Sequence, residues 1–248
     1  MQINWPLITV LFCLSLPGVF IAVPRLINLL LPKNSDELKN RVNRFAKGQT
    51  LFMVLLMTFG GSVLSLKTGL NASVLDTLLQ GGAVLDQIQA MLLPVLLATI
   101  GGLIVFFFLY YGLVASILDE KTFHIMRQVR VVLGIDGCIL YGGVVEEIIA
   151  RWGLMNVVAF FAILFAGQKS PLIIWSAILL SGLVIALGQL PAYLAAGCQS
   201  SRRFIYSMLL LNVWQALLFG WLFWQFGLVA AIVAHMLFHV GWYLYDKT

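Results

Sequence analysis

The sequence predicts an all-α, polytopic membrane helix bundle: one membrane domain over residues 1–248, with about seven or eight transmembrane helices. Three observations carry this. Hydrophobic residues make up 61% of the 248 and charged residues 10%, far below the roughly 25% that a water-facing surface requires. Residues 91–118 and 204–245 contain no Asp, Glu, Lys or Arg, and each run exceeds the ~20 apolar residues of a spanning helix. These runs are continuous, whereas barrel strands would alternate with period two.

In order, the first span is expected over Trp5–Leu31, interrupted by Pro17 and Pro24, and is read as a retained helix because no basic leader or small-residue cleavage site precedes it. The stretch Pro32–Gln49 carries Lys33, Lys39, Arg41, Arg44 and Lys47, which places it in the cytoplasm by the bias of Lys and Arg toward that side. Spans follow over Thr50–Leu66, Ala90–Leu118 and Val132–Asn156, then Leu172–Ala196, Phe204–Phe226 and Gly227–Tyr245. Asp119–Val131 is a second basic segment, suited to the interface. Val157–Ala166 is too short to cross alone; it extends the preceding helix, re-enters, or crosses obliquely, and topology beyond residue 156 depends on which. The basic charge thus reads as membrane orientation, with lipid as partner and no nucleic-acid binding. Cys13, Cys138 and Cys198 have no metal-ligand spacing and read as small hydrophobes.

Against this background the charges inside spans stand out. Glu146, Glu147 and Arg151 lie in the run 142–156, GGVVEEIIARWGLMN. A charge at bilayer depth costs at least about 2.5–3.5 kcal/mol, so intramembrane charges mark functional sites by default. Glu147 and Arg151 are four apart and share a helix face, a spacing for an ion pair. Glu146 is turned about 100° away, and Gly142 one turn earlier leaves room beside it. His235 and His239, also four apart, form a pair that can hold one metal ion, orient a water, or face headgroups.

These residues resemble the CPBP family of intramembrane proteases, which takes in the type II CAAX prenyl endopeptidases and the Abi proteins. GGVVEEIIARWGLMN resembles the family's EExxxR signature; LLSGLVIALGQLPAY (179–193) is similar to its FxxxH signature followed by Leu-Pro; FGWLFWQFGLVAAIVAHMLFH (219–239) is similar to its HxxxN or HxxxD signature. The resemblance covers about Ile135–Trp242 as a protease core. It implies an endopeptidase acting on a membrane-associated or lipidated peptide, with a bacterial inner (cell) membrane as the expected location. Glu146 would activate water, Glu147 and Arg151 would hold the site in register, and His235 would bind a metal or stabilise water or oxyanion. Two of the signatures depart from the pattern: Ile185 and Gln189 replace Phe and His in the second, and His239 replaces Asn or Asp in the third. Glutamine is a poor zinc ligand beside imidazole. Either His239 restores the lost imidazole, leaving Glu146, His235 and His239 as a Zn2+ set with Gln189 assisting, or the site works without metal. A non-catalytic relative, acting as a membrane adaptor or bacteriocin-immunity protein, is the alternative. A transporter ranks below both, since no repeated halves or paired broken helices occur.

Overall fold

The computed structural model describes residues 3–247. Among the described residues there are seven helices long and apolar enough to cross a membrane, and one short helix. They are α1 (Trp5–Leu30), α2 (Asp36–Thr68), α3 (Ser73–Leu79), α4 (Leu85–Ile117), α5 (Glu120–Ala166), α6 (Pro171–Ala195), α7 (Arg202–Phe226) and α8 (Leu228–Lys247). No strand occurs among the described residues.

Their boundaries follow from local chemistry. Side chains of Asn4, Ser35, Asp119, Ser170 and Ser201 each accept from a backbone N–H in the first turn of α1, α2, α5, α6 and α7, meeting donors that a helix start otherwise leaves unpaired. Gly69 and Gly167 end α2 and α5 in the left-handed conformation.

The largest difference from the sequence expectation is α5. It begins at Glu120, and Val157–Ala166 continues it without a break. The basic segment and the fourth span are therefore one helix, bent where Gly134 takes φ 70° and ψ 167°, a conformation open to glycine. From the bend onward α5 is at most about 48 Å long at 1.5 Å per residue, against a hydrocarbon layer of about 30 Å; the last turns protrude or take up a tilt. With seven crossings, the basic segments 33–47, 121–130 and 202–203 fall on one side of the membrane, and Lys67 and Lys169 on the other.

Contacts agree with that grouping. At the basic end, Arg25 of α1 pairs with both carboxylate oxygens of Asp136 at 2.6 and 2.8 Å, so Asp136 is a half-exposed partner at the membrane edge. At the opposite end the Leu228 N–H donates to Asn71 O at 3.2 Å.

In the core, α5 is held against α2 by Trp152 Nε1, which donates to Thr58 O at 3.2 Å, and by the buried Thr68–Asn156 pair. A Cβ at Gly61 would overlap the Trp152 carbonyl and ring, so this approach requires glycine. Of the three cysteines, Cys138 and Cys198 are buried as expected, whereas Cys13 is exposed.

Candidate active site

α5 carries the intramembrane charges on an unusual backbone. From Cys138 to Glu146 and from Ile148 to Met155 the helix widens into π-helical turns, which bond each N–H to the carbonyl five residues back and recur at functional sites. The 100° step used to place Glu146 and Glu147 is therefore only approximate here.

Glu147 is 1% exposed and Arg151 4%. Arg151 Nε lies 3.4 Å from Glu147 Oε2, while the other oxygen of Glu147 lies 2.8 Å from Nδ1 of His235. The spacing of four foresees the first contact. The second joins α5 to α8 across 88 positions and gives Glu147 a further task. With Arg151 across the same carboxylate, Glu147 accepts and His235 Nδ1 donates. That fixes the neutral tautomer and leaves Nε2 with a lone pair.

Glu146 points elsewhere. It lines a cavity of about 130 Å³ with Gln189, His235, His239, Asn212 and Gln215, enough space for water among polar groups. Gln189 Nε2 donates to Glu146 Oε1 at 3.3 Å, so α6 supplies an amide where the family signature has imidazole. The room beside Gly142 is already taken: a Cβ there would overlap Nε2 of His239. Gly142 thus admits the second histidine to the cavity wall.

His235 and His239 are part of a ring column. Phe219 stacks on His235 with centroids 4.2 Å apart and planes 17° apart, and His235 on His239 at 4.8 Å and 20°. Trp242 continues it, 8° from the plane of His239 at 6.4 Å, and the Arg130 guanidinium covers Trp242 at 4.0 Å. His239 Nδ1 is buried with no hydrogen-bond partner among the described residues.

This arrangement does not fit the metal set Glu146, His235 and His239. Stacked, nearly parallel imidazoles direct their nitrogens side by side, whereas a tetrahedral ion needs lone pairs that converge at about 2.0 Å. His235 Nδ1 is also committed to Glu147. No group of three His, Cys, Asp or Glu side chains placed to hold a metal ion occurs among the described residues. The idea that His239 restores a zinc site in place of the missing histidine therefore lacks its geometry.

All six sequence candidates, Glu146, Glu147, Arg151, Gln189, His235 and His239, lie around the cavity or the small pocket behind it. Sequence reasoning missed Asn212 and Gln215 of α7, which line both. Their signal was present: two amides three apart in the uncharged run 204–226, on one helix face.

No curated protein and no solved structure matches the chain. Residues 128–241 match the family described as Type II CAAX prenyl endopeptidase Rce1-like. The match spans all six residues and the three signature strings, and over this stretch, somewhat under half of its length, the chain is similar to the Rce1-like type II CAAX prenyl endopeptidases, a likeness that supports the fold of a CAAX-type intramembrane protease.

Proposed function

We propose that the protein is an intramembrane endopeptidase that hydrolyses a peptide bond of a membrane-associated or lipidated peptide, using water activated by Glu146. The observation that carries this is the division of labour between neighbouring carboxylates. Glu147 is ion-paired with Arg151 and hydrogen-bonded to His235, while Glu146 faces a polar cavity with one amide partner.

In the proposed reaction a cavity water lies between Glu146 and the Nε2 lone pair of His235. Glu146 takes its proton as the oxygen attacks the scissile carbonyl carbon. The second N–H of Gln189 and an N–H at the unpartnered Nδ1 of His239 stabilise the oxyanion. The C–N bond then breaks, Glu146 returns its proton to the leaving amine, and the products are a carboxylate and an amine. Glu147 acts through His235 as a positioning residue, and Arg151 holds Glu147. A peptide enters extended, because a helical backbone hides its carbonyls. The basic side of the bundle faces the cytoplasm in this reading, with a bacterial cell membrane as the setting.

The test is cleavage of a panel of lipidated peptides by the full chain in lipid nanodiscs, followed by mass spectrometry. Glu146→Ala should lower the rate by about 10²–10⁴-fold, the usual worth of a general base, without altering the melting profile. Cleavage unchanged in Glu146→Ala would overturn the proposal. The binding-only alternative draws on Gln189, an amide where imidazole is expected; it is supported if both proteins retain peptides and neither cuts them.

A further inference from the structure

Beside the catalytic cavity lies a second polar cluster that this reaction does not use. The carboxylate of Asp246, in the last turns of α8, is bound by the guanidinium of Arg130 and by the hydroxyl of Tyr111. Trp242 Nε1 donates to the same hydroxyl oxygen at 2.9 Å, which directs the tyrosyl proton toward Asp246. The Arg130 guanidinium carbon sits 4.0 Å over the Trp242 ring centroid, and the side chains of Arg130 and Asp246 are only 15% and 18% exposed. Donors from α4 and α5, braced by an indole of α8, thus converge on one carboxylate.

Its position gives it meaning. Arg130, Cys138 and His239 line the 130 Å³ cavity and also a second cavity of about 380 Å³ between α5 and α8, which reaches Gly134, Tyr243 and Asp246. The cluster therefore stands in the wall between the catalytic cavity and an outer groove. Along α8, Asp246 lies about 10 Å from His239 and about 16 Å from His235 at 1.5 Å per residue. An extended peptide covers about 3.3 Å per residue, so either span equals roughly three to five residues.

The geometry points to a carboxylate subsite: Arg130 and Tyr111 bind a peptide carboxylate about three to five residues from the scissile bond, and Asp246 holds that place until the peptide arrives. The assignment rests on the peptidase reading above. The exchange conserves charge, because one carboxylate replaces another and a largely buried guanidinium is never left unpaired. A planar guanidinium braced on an indole suits this task, since it offers two parallel N–H groups in a fixed plane. Two sources of the ligand share this chemistry, a terminal carboxylate and an acidic side chain.

Binding can be read apart from turnover, in the full chain carrying Glu146→Ala in nanodiscs. The probes are palmitoylated hexapeptides ending in a free acid, in an amide, or in an aspartate whose own terminus is amidated. The acid should bind about tenfold more tightly than the amide, the ratio expected from one lost charge-assisted contact. Asp246→Asn removes the internal competitor and should raise acid binding about tenfold again while leaving the amide unchanged. Arg130→Gln should abolish the acid preference, and Tyr111→Phe, which deletes one hydroxyl, should reduce it with the fold intact. Preference for the free acid or for the aspartyl amide identifies the source. Equal binding of all three probes to both the parent and Asp246→Asn would overturn the subsite. Peptides bound with acid preference but never cleaved by the unsubstituted chain would instead overturn the peptidase reading alone.

Discussion

α4 and α5 are the two long helices that pass through π-helical turns, yet they solve opposite problems. In its most apolar stretch α4 buries 22% of its residues and α5 44%. α4 turns Leu93, Leu97, Ile100 and Ile104 outward, each more than half exposed, as lipid permits at little cost. α5 is wrapped by α1, α2, α6 and α8, and among the described residues the buried Asp, Glu, Lys and Arg side chains, Glu147 and Arg151, sit on it alone. The difference teaches that a carboxylate is tolerated in this bundle where other helices supply its partners, and that those partners come from far along the chain.

Glu147→Ala should break the comparison most sharply on the side of stability. It leaves Arg151 buried without its carboxylate and His235 without its acceptor, a loss of about 3–5 kcal/mol. Thermal unfolding in mild detergent would register it, and a melting point equal to that of the parent would refute the pairing. Gly142→Ala comes next. The added methyl meets the His239 ring, for a cost of about 1–3 kcal/mol from overpacking, and the peptide-cleavage rate should fall as the ring column shifts. Unchanged activity with a full complement of folded protein would mean that His239 does not need its present position. Leu97→Ala on α4 should be nearly silent, within about 0.5 kcal/mol, because lipid fills the space. A larger shift would show that this face is covered by another protein surface and not by lipid.

Much of this contrast is legible in the sequence, and the remainder fails for identifiable reasons. Charge-free runs mark α1, α4, α7 and α8, and the cost of intramembrane charge singles out Glu146, Glu147 and Arg151. The continuity of α5 is hidden because the basic stretch 119–131 and the short run 157–166 look like separate segments by composition, while the helix passes through both. The Glu147–His235 contact is invisible because its partners are 88 positions apart. Arg130 reads as part of an interfacial basic segment, since a linear scan cannot see that Asp246, 116 positions further on, pairs with it. The zinc set fails on orientation: counting imidazoles and carboxylates says nothing of the planes in which the rings lie.

The single residue Gly227 between α7 and α8 acts as a ruler for the site. Its φ of +83° belongs to glycine, and it lets the chain reverse with no spare length. Phe219 and His235 lie eight positions on either side of it, and Gln215 and His239 lie twelve. Residues at equal contour distance from so tight a reversal reach equal depth, which is why Phe219 stacks on His235 and Gln215 shares the cavity with His239. A residue added at this point would advance every side chain of α8 by about 100° and carry both imidazoles off the cavity wall together. The depth of the cavity in the bundle is in this sense measured from its far end, by counting turns down two helices from one common origin.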